Sequence, residues 1–400
     1  MRILGYECRK ILNIKLLMAL LVFTLLFYNM FISVVFHPDD SADCDAQNDF
    51  AFILKEEYGY DTVLPYEDFG VAEEILQDQI RKLDALVQES SILKEAGITS
   101  YEELQEAHQD DMADEIYEEM IRIDFEEGIR YLFLKQHIEG LYEMMEFNPI
   151  MGVETGKEME AAETFLSHRE ANDYSKEAIE RVANVIQEDR LSLLPDSVLF
   201  HLKEDLPRLG ILLIISCLIL ILPYQIRERL AGGNPLFATS NTGRSLWGKR
   251  YCAAVISCLL VCVLHFFLFC MVLAKSDILQ YWNYPVNGNG RDFYWFDMNL
   301  GTYLTGEWML YSMIALGTMT VFYLISRLSV NYIVGAAVGV PATVVFGILT
   351  VQFTKLFLNV TKSVEYNLLR PVGFTAILLA IAGAIVYGFK RWDKRRDIMI

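Results

Sequence analysis

Three groupings in this 400-residue sequence bring together residue types that do chemistry. Gly243-Arg-Ser-Leu-Trp-Gly248-Lys249-Arg250 has the spacing of a phosphate-binding loop, in which backbone N–H groups cradle a phosphate and a Ser or Thr after the lysine holds magnesium. Here Arg250 stands in that last place, and an apolar helix rather than a strand precedes the loop. Nucleotide binding by this route is therefore excluded. Cys258, Cys262 and His265 recur on one face of an apolar stretch and could in principle ligate a metal. They are three where a closed structural zinc site needs four, and packing is the better reading. Asp39, Asp40, Asp43, Asp45 and Asp49 could attract calcium, but the run lacks the loop glycine and terminal bidentate Glu of an EF-hand, so it reads as a solvated acidic linker. No HExxH, nucleophile elbow or paired-carboxylate motif is present. The expectation is a non-enzyme, with no metal and no cofactor held by this chain.

The elements that must position any functional residue follow from how charge and apolarity divide the chain. Hydrophobic residues make up 53% of it. Between residues 37 and 208 there are 14 Lys/Arg against 44 Asp/Glu, a net of −30, so the remainder of this −19 chain is basic at +11. Crossing the hydrocarbon core takes roughly 20 mostly apolar residues in a helix, and six segments meet or nearly meet that length: 16–36, 209–224, 251–274, 308–325, 332–353 and 372–389. None carries Asp, Glu, Lys or Arg, which leaves His265 as the ionisable side chain at depth apart from cysteines and tyrosines.

Basic residues flank alternate ends of these spans. Arg2, Arg9, Lys10 and Lys15 precede the first; Arg227, Arg229, Arg244, Lys249 and Arg250 separate the second and third; Arg327 follows the fourth; and Lys390, Arg391, Lys394, Arg395 and Arg396 follow the sixth. By the positive-inside rule these ends and both termini are cytoplasmic, in a multi-pass protein of the cell (plasma) membrane. The first span reads as a retained anchor, because its apolar run is long and no A-x-A cleavage site follows. Asn359-Val-Thr361 is a glycosylation sequon on the outer side.

The chain thus divides into an amphipathic amino-terminal helix (1–15), a first span (16–36), an acidic helical extracytoplasmic domain (37–208), a second span (209–224), a basic loop (225–250), four further spans (251–389) and a basic tail (390–400). The fold class is an all-α integral membrane protein with a large helical domain between its first two membrane helices. In that domain, apolar residues recur at helical spacing in Leu76/Ile80/Leu83/Val87, Ile116/Met120/Ile123, Leu134/Ile138/Leu141 and Ile179/Val182/Ile186. Ser100 with Glu103 reads as a capping box opening the second of these helices. A further helix from Asp196 is expected to run directly into the second span despite Pro207.

Ion-driven carriers place ionisable residues at membrane depth. Spans free of charge therefore argue for an energy source on a partner, acting on the loop 225–250. The stretch from Glu228 to Lys249, with Glu228, Gly232, Leu236, Thr239, Ser240, Gly243, Arg244 and Lys249 in that order, resembles the loop after the second span of ABC-2 type exporter permeases from Gram-positive bacteria. The opening run Glu7-Cys-Arg9-Lys10-Ile-Leu-Asn-Ile-Lys15, leading into a span with Asn29, and the six-span order resemble that family too.

The resemblance implies a membrane-spanning permease subunit with no nucleic-acid partner. A separate ABC ATPase subunit would hold the ATP and dock on the cytoplasmic face, and a second permease chain, identical or not, would complete the path through the bilayer. It further implies that Arg227, Glu228, Gly232, Thr239, Ser240, Gly243, Arg244 and Lys249 couple to the ATPase, and that residues 3–15 form a connecting helix on the membrane surface. Thr24, Tyr28, Asn29, Ser33, Ser312 and Thr318 are candidates to line the path, although such residues also serve helix packing. Two other classes compete: a receptor or sensor, and a peptide-immunity protein, each binding a ligand through the acidic domain.

Overall fold

The computed structural model describes residues 2–32, 42–107, 114–147, 153–154, 156–168, 174–232, 246–276, 278–288, 292–354, 358–360 and 369–396. The chain starts with helices α1 (Arg2–Ile11) and α2 (Ile14–Phe27), the latter prolonged by a π-helical turn, Tyr28–Ile32. Residues 1–15 are thus not one helix. Asn13 holds an extended backbone and its side chain accepts from the Lys15 N–H at 2.9 Å, which caps α2 and lets the chain turn between the two.

Next come α3 (Ala42–Tyr58), strand β1 (Val63–Pro65), α4 (Val71–Glu89), α5 (Ser91–Glu95), α6 (Tyr101–Ala107), α7 (Asp114–Ile123), α8 (Ile129–Phe147), α9 (Glu158–Ser167), α10 (Lys176–Ile186) and strand β2 (Arg190–Ser192). The carboxy-terminal half consists of α11 (Asp196–Leu230), α12 (Leu246–Lys275), α13 (Leu300–Leu328), α14 (Tyr332–Thr354) and α15 (Leu369–Arg396).

Among the described residues, six helical segments are long and apolar enough to cross a membrane: Ile14–Ile32, Val198–Leu230, Trp247–Lys275, Leu300–Leu328, Tyr332–Thr354 and Pro371–Gly388. They correspond to the six segments read from hydropathy, and a multi-pass helical membrane protein is the class they define. Helix α11 is the centre of the bundle and packs against α13, α14, α12 and α2. Small residues permit the closest approaches. A Cβ on Gly210 would sit 2.4 Å from Tyr311 of α13, and one on Gly335 of α14 would meet Ile226 at 2.7 Å. In a bilayer, where apolar burial gives no drive between helices, such close backbone contact is a main source of association.

Several expectations change. The helices extend beyond their apolar windows, and two carboxyls on those extensions are buried within the protein. Asp205 lies on the Val198–Leu230 segment with no exposed surface, and Glu307 lies on α13 at 3% exposure. The apolar windows themselves carry no Asp, Glu, Lys or Arg, but the helices that contain them do. Helix α11 does run from Asp196 through Pro207 and Pro223 without a break.

The helical region between α2 and α11 is not purely α. Strands β1 and β2 pair antiparallel, Val63 with Ser192 and Pro65 with Arg190, joining the beginning and end of the region. Ser100 does cap a helix, since its Oγ accepts from the Glu103 N–H at 3.2 Å, but that helix is the short α6, ahead of the Ile116 stripe on α7. The Glu103 carboxylate reaches back to the Thr99 N–H at 2.7 Å rather than to Ser100. The acidic run is partly helical, as Asp43, Asp45 and Asp49 belong to α3 and Asp49 pairs with Arg130 of α8 at 2.6 Å. Asp39 and Asp40 lie outside the described residues.

The region has two cores. Leu83, Val87, Leu93, Ile98, Leu104, Met120 and Ile123 form a separate cluster, whereas Phe50, Leu54, Leu64, Ile138, Phe165 and Val182 belong to one continuous core with the membrane bundle. The continuity runs from Leu194 into the start of α11, through Val198 and Leu202, and through the α12–α13 connection. Phe165 packs edge-on to Phe293, Ser192 donates to the Pro285 carbonyl at 2.7 Å, and Arg181 grips both the Tyr294 carbonyl (2.9 Å) and Asp297 (2.5 Å). Asn287 braces that connection from within. Its amide oxygen accepts from the Tyr294 N–H at 2.7 Å and its nitrogen donates to Phe296 O at 3.1 Å. The Arg181 guanidinium holds the Asp297 carboxyl below its ordinary value, against the opposing effect of burial.

Candidate functional site: a charge cluster at the basic end of the bundle

The end of the bundle that carries α1, the finish of α11 and the start of α12 concentrates charge on three separate stretches of chain. Helix α1 carries Glu7 and Lys10 one turn apart. It packs against α12 and α11 with Ile11 fully buried, as its amphipathic sequence dictates. Glu228 and Arg227 occupy the last turns of α11, and Arg250 the first turn of α12.

Glu7, only 3% exposed, is the pivot. One carboxylate oxygen accepts from the Tyr224 hydroxyl at 2.5 Å, and the other from Lys10 Nζ at 3.2 Å, with Arg250 Nε 3.8 Å away. Lys10 Nζ also donates to Glu228 at 2.7 Å, and Arg250 approaches the second Glu228 oxygen at 2.8 Å. Burial alone lowers the Lys10 pKa, but its bonds to Glu228 and Glu7 outweigh that and raise it above 10.5, so the ammonium form is held. Two carboxylates thus face two cations, which is the arrangement that a largely dehydrated ion cluster needs in order to persist.

Neighbouring backbone is tied to the same unit. Arg227 donates to the Lys10 carbonyl at 2.6 Å. Arg229 donates to Ser329 O at 2.6 Å and to Arg327 O, capping the end of α13. Ser326 of α13 bonds both Leu222 O (2.7 Å) and Gln225 N (3.1 Å). Gly232, at φ +73°, stops α11 in the left-handed conformation that glycine adopts without strain.

Of the residues expected to couple to a partner, Arg227, Glu228 and Gly232 are thereby brought together. Glu228 faces inward, with its side chain 12% exposed, and its charge is spent on Lys10 and Arg250. Lys249 is exposed on the first turn of α12. Thr239, Ser240, Gly243 and Arg244 lie outside the described residues. Among the path candidates, Thr24 is buried on α2, while Tyr28 is buried and Asn29 exposed on the π-helical turn that follows it; Ser33 is outside the described residues. Ser312 is half-buried on α13, and Thr318 is buried with its hydroxyl turned back onto Ala315 O at 2.9 Å.

Cys258 and Cys262 meet Cys217 of α11, and His265 lies 3.0 Å from the Ser216 hydroxyl. Among the described residues no group of three or more His, Cys, Asp or Glu is arranged to hold a metal. Asn359 of the sequon is buried and donates to Asp292 at 2.7 Å, which does not fit a glycan attached at that nitrogen.

Sequence reasoning missed a second polar feature. Glu307 is buried on α13 with one carboxyl oxygen facing Tyr311 and the other, Oε2, without a hydrogen-bond partner among the described residues. Tyr303, Glu307 and Tyr311 follow at four-residue spacing and so share a helix face; Tyr311 also accepts from the Thr354 hydroxyl of α14 at 3.2 Å. Asp205 pairs with Arg208 at 2.9 Å. The signal that could have found both carboxyls is the length of the helices beyond the apolar windows.

Comparison of the chain with protein families, with characterised proteins and with solved structures gives no match.

Proposed function

We propose that this chain is the membrane-spanning permease subunit of an ABC exporter, working with a separate ATPase subunit and a second permease chain in the cell membrane. Its termini and the α11–α12 connection face the cytoplasm, and the helical region from α3 to α10 faces outward. One observation carries the reading: Glu7, Lys10, Tyr224, Glu228 and Arg250 lock the amino-terminal helix, the end of α11 and the start of α12 into a single unit. A partner pressing on the α11–α12 connection would displace these helices together, and α13 with them through Arg229 and Ser326. In this scheme Glu228 acts as an internal tie, and exposed Lys249 is the candidate for direct contact with the ATPase.

The test is co-purification and turnover. The gently solubilised chain should retain an ATPase subunit, and Glu228→Lys should abolish transport-linked ATP hydrolysis while membrane insertion persists. No associated ATPase, or unchanged turnover in the variant, refutes the proposal.

A second reading is favoured by Glu307: an ion-driven carrier in which this carboxyl takes up the coupling ion. It expects transport by the chain alone in proteoliposomes under an imposed ion gradient, and loss of that transport in Glu307→Gln.

A further inference from the structure

The charge cluster borders a cleft of about 640 Å3 between α1 and the end of α11, lined by Tyr6, Arg9, Lys10, Asn13, Arg227 and Glu228. Its charges do not cancel. The carboxylates of Glu7 and Glu228 are matched by Lys10 and Arg250. Arg9 is exposed and has no ion-pair partner among the described residues, and Arg227 gives one N–H to a backbone carbonyl and meets no carboxylate among them. The cleft is therefore left with two uncompensated guanidinium groups. Such planar forks match the oxygens of a phosphate bidentately.

Asn13 uses its side-chain oxygen on the Lys15 N–H, which leaves its NH2 to donate, and the Tyr6 hydroxyl is exposed at the rim. The site thus offers donors and positive charge, with its one carboxylate already engaged.

Its position narrows the ligand further. The cleft sits where α2 begins its crossing. Immediately beyond it, Ile14, Met18, Leu21, Val22 and Leu25 present an exposed apolar strip along α2. A free anion would use the guanidinium groups and ignore that strip. A phospholipid would use both, its phosphodiester held by Arg9 and Arg227 and an acyl chain laid along α2. We infer that the cleft between α1 and α11 is a binding site for the phosphodiester headgroup of an anionic phospholipid. The inference needs only that α2 crosses the bilayer, and it stands apart from the exporter reading.

A bound lipid at this place bridges α1 to α11 from outside, alongside the Glu7 and Glu228 bonds that join them inside. Each basic side chain near a membrane surface contributes about 1 kcal/mol to attraction of anionic lipid, or about fivefold in affinity.

The test uses the full chain, stripped in detergent and titrated with phosphatidylglycerol against phosphatidylcholine, with bound lipid counted by native mass spectrometry. The unmodified chain should prefer phosphatidylglycerol. Arg9→Gln, on an exposed side chain that the fold does not need, should weaken that preference about fivefold, and R9Q/R227Q should abolish it. Lys249→Gln, a basic residue at the same end but off the cleft, should leave the preference unchanged. Equal losses for R9Q and K249Q would show a diffuse surface charge effect and overturn the site. Displacement of the lipid by inorganic phosphate at comparable concentration would show a free-anion site, and would overturn the lipid assignment.

Discussion

The bond between Tyr224 and Glu7 offers the most direct test of how the basic end is held. Tyr224→Phe removes one hydroxyl and almost no volume, so its effect isolates the 2.5 Å bond to the carboxylate. A hydrogen bond to a charged group contributes about 1.5–3 kcal/mol. The upper part of that range applies here, because Tyr224 and Glu7 are both almost fully buried and water cannot replace the lost donor. Glu7→Met removes the acceptor in a side chain of similar length, and it also strands Lys10 and Arg250 with Glu228 as their remaining carboxylate. It should cost more, about 3–5 kcal/mol, as for a buried pair broken from one side. The decisive quantity is the coupling in the double variant. With Glu7 already gone, Tyr224→Phe has no bond to lose, so the two effects should fall short of additivity by about 1.5 kcal/mol or more. Reversible unfolding of the four proteins in mixed micelles measures it. A coupling below about 0.5 kcal/mol, the scatter found for residues that do not touch, would refute the reasoning. The same experiment pairing Tyr224→Phe with Glu307→Gln should be additive.

Two further predictions concern the other polar features. Because Glu307 buries an oxygen without a partner among the described residues, Glu307→Gln should leave stability unchanged or raise it by about 1 kcal/mol, whereas Glu307→Ala should lower it by about 1–3 kcal/mol through lost packing and the stranded Tyr311 hydroxyl; a large loss in the Gln variant would contradict this account. The clamp of Arg181 on Asp297 should depend on pH. Since the folded-state pKa of Asp297 is depressed, its contribution is present above 3.8 and is lost as pH falls through the lower folded value. Amide exchange across residues 292–300 should therefore be flat from neutral pH down to about 4 after correction for the intrinsic rate, with Arg181→Gln raising it at every pH.

How much of this was legible in the sequence varied with the kind of interaction. The six membrane helices were readable because hydropathy is additive along the chain, and so were the stripes on α7, α8 and α10, whose period is local. The two buried carboxyls were not. Glu307 stands one residue before the apolar window that starts at Trp308, and Asp205 stands before Pro207 and Arg208, so each fell to the loop side of a boundary drawn by composition. What buries them is the neighbouring helices, which no window contains. The charge cluster escaped for a related reason, since Glu7 and Tyr224 are 217 positions apart. Glu228 was singled out from its place in the loop, but its partners Lys10 and Arg250 were read as topology signals. The pairing of β1 with β2 involves three residues on each strand, too few to leave an alternating pattern.

Helix α11 has 35 residues, which at 1.5 Å each is a rod of about 52 Å. Its first turns carry Lys203, which pairs with Asp292 of the α12–α13 connection, and its last turns carry Tyr224 and Glu228. A rod gripped at both ends converts a tilt at one end into an opposite sweep at the other. Its compliance is set by where its internal bonding is interrupted. Pro207 and Pro223 supply no N–H, which frees the carbonyls of Lys203 and Ile219 from helical bonding and leaves the stretch between them as the uninterrupted middle of the rod. Pro207 lies one turn inside the Lys203 grip, and Pro223 stands directly beside Tyr224, so the missing backbone bonds fall next to the two grips. The helical region and the charge cluster are joined by one rod that lacks a backbone bond beside each grip, and replacing either proline by alanine would restore that bond.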